Sequence, residues 1–120
     1  LIFDEIDAGV SGKVAQSIAS KLHHLSQFQQ ILCVTHQPLI AAMADRHFRV
    51  TKETIDRDAT DNGNLANTTE RTIVRIEELQ SQHQRRDEIA QIAGGQSAKE
   101  AVSFATSLLS QAKTRKKGVK

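Results

Sequence analysis

Two short apolar runs constrain most strongly what this chain can fold into. Leu1-Ile2-Phe3 and Ile31-Leu32-Cys33-Val34 are too short for helices and too uniformly apolar for half-exposed strands. They are expected to be strands buried on both faces. Between them, Val14, Ile18, Leu22 and Leu25 recur at spacings of four, four and three, with Ala15 and Ala19 widening the stripe. That periodicity predicts a helix with one buried face, and Ser11 stands where its N-cap belongs. Strand, crossover helix and strand predict a right-handed βαβ unit with parallel strands. Both strands then end at one edge, where α/β sheets place their ligands.

Each strand ends in groups suited to chemistry at that edge. Asp4-Glu5 closes the first and Thr35-His36 the second. One acid at a strand exit can hold Mg²⁺ through its water shell, and the next can orient and polarise an attacking water. Asp4 is therefore the expected Mg²⁺ group and Glu5 the general base. His36 suits donation to a γ-phosphate, because one ring nitrogen can donate while the other is held by an acceptor. Asp7, Gly9, Ser11 and Gly12 form the turn after the first strand. A capped strand-to-helix turn explains them, and so does a turn that crosses a dimer interface to the partner's site. Sequence alone leaves both readings open. No G-x-x-x-x-G-K-[ST] phosphate loop occurs in the chain.

The remainder reads as accessory structure. Pro38 fits the first turn of a short helix from Leu39 to about Asp45. His47 to Lys52 and Arg71 to Glu77 alternate like strands and predict an antiparallel hairpin. The polar stretch from Thr54 to Glu70 is expected to be a loop, with a turn near Asn62-Gly63. Leu79 to Ala93 predicts a helix stopped by Gly94-Gly95. Ser97 and Glu100 form a capping box for a last helix ending near Ala112, with Ala101, Ala105, Leu108 and Ala112 on one face. His23-His24 diverge on their helix and are expected at the surface, as no acid or cysteine stands at ligand spacing. His47 and His83 likewise have no ligand set around them.

Charge and cysteine content narrow the function classes. A net charge of +2 argues against a bulk nucleic-acid binder. Lys113, Arg115, Lys116, Lys117 and Lys120 form a basic tail, expected to be a solvated, frayed terminus or a phosphate-backbone contact. No apolar stretch approaches the ~18 residues of a membrane helix. The single Cys33 excludes an internal disulfide framework, fits a reducing compartment and reads as a small core residue. The chain opens inside a strand without an initiator Met and is expected to be the C-terminal piece of a longer protein.

Taken together, these motifs resemble a family. Leu1-Ile2-Phe3-Asp4-Glu5 looks like the Walker B motif and catalytic glutamate of ABC-type ATPases. Asp7 to Gly12 resembles their D-loop, and Val34-Thr35-His36 their switch histidine. Asp7-Ala8-Gly9-Val10-Ser11-Gly12 is similar to the D-x-G-[IV]-S-G run of the RecN family of SMC-like ATPases. Cys33 to Pro38, Ala44 to Lys52 and Arg71 to Gly95 resemble the same family. The resemblance implies an α/β fold, namely the C-terminal part of a P-loop NTPase head, with a parallel βαβ core, a β-hairpin and C-terminal helices. Residues 1–112 would belong to that head and 113–120 to the tail. It implies ATP and Mg²⁺ as cofactors, with Asp4, Asp7, Gly9 and Ser11 in nucleotide binding and Glu5 and His36 in catalysis. It also implies DNA as partner, a homodimer through the heads, an N-terminal lobe carrying the phosphate loop, and a place in the bacterial cytoplasm at the nucleoid. The implied role is recombinational repair of double-strand breaks, with the piece alone inactive for lack of a phosphate loop. The alternatives are another ABC-type ATPase, in a transporter or another SMC-like protein, and a non-catalytic module that binds DNA through its basic tail.

Overall fold

The computed structural model describes residues 1–55, 71–94 and 98–118. The fold is mixed α/β. Its elements run β1 (Ile2–Asp4), α1 (Gly12–Ser26), β2 (Leu32–Val34), α2 (Pro38–Met43), β3 (Phe48–Ile55), β4 (Arg71–Glu78), α3 (Gln82–Ile92) and α4 (Ala98–Gly118). They divide into two compact units, Leu1–His47 with Leu79–Lys120, and Phe48–Glu78.

In the first unit β1 and β2 pair in parallel, with Ile2 opposite Leu32, Phe3 opposite Cys33 and Asp4 opposite Val34. The expected parallel βαβ order is present. Burial on both faces is not: Ile2 is 75% exposed, Leu32 52% and Val34 51%. Successive side chains of a strand point to opposite faces. Only the set containing Phe3 and Cys33 turns toward the helices, and Cys33 packs against the core.

That core is helical. Ala19, Ile40, Ala41, Ala42, Met43, Ile89, Ala90, Ala105, Leu108 and Ala112 form one buried cluster drawn from α1, α2, α3 and α4. Its many alanines let helix backbones approach closely, and Ile89 fills the centre without any exposure. The buried stripe of α1 is Ala15, Ala19 and His23, so the helix is turned toward its small residues. Val14, expected inside, is exposed, while Ile18, Leu22 and Leu25 flank the stripe half-buried. His23, expected at the surface, is buried in that same stripe.

Helix α3 starts later than its apolar pattern suggests, because a capping box sets its beginning. The Gln84 backbone N–H donates to the Ser81 hydroxyl at 3.1 Å, and the Ser81 backbone N–H donates to Gln84 Oε1 at 3.1 Å. The helix ends before Gly94, whose φ of +112° suits glycine. The capping box expected at Ser97 lies outside the described residues. Helix α4 continues to Gly118 rather than stopping near Ala112, so the basic tail is helical through Lys117 rather than frayed. Two features favour the extra turns. Arg115, Lys116 and Lys117 complement the negative end of the helix dipole. Lys116 Nζ also donates to Asp45 Oδ1 at 2.7 Å and to the Ala44 carbonyl at 3.2 Å.

The second unit is the expected antiparallel hairpin, in register from Phe48 opposite Glu78 to Ile55 opposite Arg71. Arg49 pairs with Glu77 at 2.7 Å and Arg75 with Glu53 at 3.2 Å. Strand β3 is longer than expected and takes in Thr54 and Ile55. The turn expected near Asn62-Gly63 lies outside the described residues.

Candidate functional site at the strand ends

The parallel pairing of β1 and β2 puts their C-terminal ends side by side. Asp4 is in register with Val34, and the next backbone contact extends the ladder, with the Glu5 N–H donating to the Val34 carbonyl at 3.1 Å. Glu5 and His36 therefore leave the same rim of the sheet, one at the exit of each strand. Asp4, Glu5 and His36 are all exposed. None of their side chains makes a hydrogen bond or ion pair to a described residue. Their polar atoms are open to a ligand, as a phosphate site requires.

Glu5 carries the one positive φ of a non-glycine residue among the described residues, +48°. This left-handed conformation costs an L-residue about 1–2 kcal/mol. It bends the chain at the strand exit and starts two consecutive turns. Ala8 N–H donates to the Glu5 carbonyl at 3.2 Å, and Val10 N–H donates to the Asp7 carbonyl at 3.2 Å. Gly9, inside the second turn, has φ +71°, where a side chain would be strained. Ser11 occupies the N-cap position of α1 and its carbonyl accepts from Ala15 N–H at 2.9 Å, but its hydroxyl caps nothing. Gly9, Ser11 and Gly12 are exposed on this turn.

Asp7 behaves differently from its neighbours. Its side chain is wholly buried within its own chain. The Thr35 hydroxyl donates to Asp7 Oδ2 and in turn accepts the Gln37 backbone N–H at 3.0 Å. Asp7 Oδ1 has no hydrogen-bond partner among the described residues. Thr35 stands at the rim beside His36 as expected, and its hydroxyl has a partner that the sequence does not name. Its signal was present, since a Thr two residues before a backbone N–H is a common local turn former. Burial pushes the Cys33 thiol above its ordinary pKa, and the negative charge of Asp7 adds to this. Cys33 is thus a protonated packing residue rather than a nucleophile.

The other histidines stay apart from this rim. His47 is buried, and its imidazole is held below the usual pKa by burial first and by the Arg85 charge second. His83 Nδ1 meets Asp87 Oδ2 at 3.1 Å on the surface of α3. Among the described residues no three His, Cys, Asp or Glu side chains converge on a metal position. Mg²⁺ needs no such cage, because it usually takes one or two carboxylates together with phosphate oxygens and water. Asp4, exposed and without a side-chain partner among the described residues, fits that requirement. Among the described residues no helix is long and apolar enough to cross a membrane.

The chain is similar in sequence to curated proteins. A protein of Synechocystis named DNA repair protein RecN is 57% identical over 117 residues, which is 97% of this chain. The chain belongs to the RecN family. It spans 20% of the length of that relative. RecN of Xylella fastidiosa is 36% identical over 112 residues, covering 92% of this chain and 18% of the relative. RecN of Bacillus subtilis is 57% identical over 56 residues, covering 47% of this chain and 10% of the relative. No family model matches the chain.

Proposed function

We propose that this RecN segment supplies the hydrolytic edge of an ATPase head in a DNA repair protein. The head would have the P-loop NTPase fold of the ABC and SMC-like kind. The observation that carries the reading is the shared rim, where Asp4, Glu5 and His36 stand exposed at the ends of two parallel strands. The likeness to proteins named DNA repair protein RecN supports the biological role.

On this reading each group has one task. Asp4 would hold Mg²⁺ through water, and the ion would neutralise charge on the phosphate oxygens. Glu5 accepts a proton from the attacking water, aligning it as it does so. His36 donates to the γ-phosphate and registers which nucleotide is bound. The exposed turn with Gly9 and Ser11 faces a second head, so that two heads close over ATP. Asp7, buried under that turn, supports it from within. The β- and γ-phosphates need a backbone cradle that this chain does not contain, so another lobe must provide it. The full protein would act on DNA as a homodimer in the bacterial cytoplasm, at recombinational repair of double-strand breaks.

The test is made in the full-length protein. Glu5→Gln should keep ATP binding and lower turnover by about 10²-fold or more, the range for loss of a positioned base. His36→Ala should slow turnover more than it weakens binding. Undiminished turnover in Glu5→Gln would sink the hydrolase reading.

A further inference from the structure

Thr35 sits between the two halves of the proposed site and belongs to neither. Its hydroxyl has one proton to donate and lone pairs to accept. The proton goes to Asp7 Oδ2, and a lone pair takes the Gln37 N–H at 3.0 Å. Residues 35 and 37 flank His36, so this small ring fixes the backbone that carries the imidazole. Asp7 lies two residues after Glu5, in the turn that Glu5 begins. Two ties therefore join the strand exits. One is the backbone bond from Glu5 N–H to the Val34 carbonyl, and the other is the side-chain bond from Thr35 to Asp7.

Burial makes the second tie strong and selective. Asp7 is fully enclosed, and its carboxylate has the Thr35 hydroxyl as its hydrogen-bond donor among the described residues. A hydrogen bond shut away from water is costly to lose, because neither partner can turn to solvent instead. The tie holds the turn after Glu5 against the turn that bears His36. A shift of either turn is thereby passed to the other.

We propose that Thr35 is a positioning residue for hydrolysis, which through its hydroxyl locks His36 to the Asp7 turn. The proposal rests on the ATPase reading above and adds to it a residue that touches no substrate. Its effect is exerted through His36, so it should vanish when the imidazole is gone.

The experiment is a double-mutant cycle in the full-length protein, reading ATP turnover and nucleotide affinity separately. Thr35→Val keeps the shape and removes the hydroxyl. It should lower kcat by about ten-fold while nucleotide affinity changes by less than about two-fold, as for loss of one buried hydrogen bond felt only in the reacting state. Thr35→Ser, which keeps the hydroxyl, should recover kcat to within about two-fold. On a His36→Ala background, Thr35→Val should add almost nothing, because residues acting through one another are not additive. If Thr35→Val does not fold, the cycle is run with the Asp7→Leu/Thr35→Val pair, which strands no buried carboxylate. Undiminished kcat in Thr35→Val, failure of Thr35→Ser to rescue, or additive losses with His36→Ala each overturn the proposal. Glu5→Gln is run beside them. If it turns over at the parental rate the ATPase reading itself fails, whereas its loss with an additive cycle removes the Thr35 role alone.

Discussion

The left-handed backbone at Glu5 makes a prediction whose sign is diagnostic. Replacing Glu5 by Ala and by Gly removes the carboxylate in both cases, so both variants should lose turnover to the same extent in the full-length protein. Their stabilities should differ. At φ +48° the Cβ of Ala keeps a strain of about 1–2 kcal/mol, which Gly releases. Gly gives back about 0.5–1 kcal/mol through the greater freedom of its unfolded chain. The balance leaves Glu5→Gly more stable than Glu5→Ala by about 0.5–1 kcal/mol. At an ordinary strand or helix position the order is reversed, with Gly the weaker by about 0.5–1 kcal/mol. Urea unfolding followed by circular dichroism can read this. With a slope of about 2 kcal/mol per molar, the midpoint of Glu5→Gly should lie about 0.3–0.5 M above that of Glu5→Ala. A Gly midpoint at or below the Ala midpoint would refute the strain argument, and with it the account of how the strand exit is bent.

Ile89 is fully buried in the helical core cluster, so Ile89→Ala should cost about 2–5 kcal/mol in the same urea titration; a loss under about 1 kcal/mol would mean the helices do not close on it. His47 is held neutral by burial and by Arg85, so its folded pKa lies below its unfolded value. The unfolded chain then binds the extra proton first, and stability should fall as pH drops below about 6.5 toward the folded pKa. His47→Asn should flatten that limb, and an unchanged pH profile would count against it. The Asp45 carboxyl is held below its ordinary pKa, chiefly by the hydrogen bond from Lys116. Its contribution is present above about pH 4 and is lost as pH falls through the folded pKa. Because Asp45 is largely exposed, Lys116→Met should cost no more than about 1 kcal/mol at pH 7, with the gap from the parent closing at low pH.

Much of this arrangement was legible in the residues. The two apolar runs and the period of α1 were enough to imply a parallel βαβ unit, because strand length and crossover geometry leave few alternatives. The hairpin followed from alternation in Phe48 to Lys52 and in Val74 to Ile76. The face of α4 with Ala105, Leu108 and Ala112 lies inside as its spacing required. Other readings failed for identifiable reasons. Hydrophobicity placed Val14 inside and His23 outside, but α1 turns its smaller Ala15 and Ala19 inward so that backbones can approach. The strands look doubly buried by composition, and within this chain, which spans 20% of the length of its Synechocystis relative, Ile2, Leu32 and Val34 are open on one face, since a strand's burial is set by the neighbours present. The basic tail looked like a frayed end, and an ion pair from Lys116 to a residue 71 positions away extends the helix instead.

The sequence by itself determined which groups stand at the strand exits and in what order. Asp4, Glu5 and His36 follow apolar runs, and the alternation of a short strand carries them to its end whatever surrounds it. Local chemistry also determined the turn, through Gly9, and the cap of α3, through Ser81 and Gln84. Only the tertiary structure decided what Asp7 and Thr35 do. They lie 28 positions apart, and nothing in either neighbourhood requires them to meet. Their contact exists because β1 and β2 pair in one particular register. A shift of that register by one residue would carry Thr35 away from Asp7 and leave the carboxylate buried with no donor.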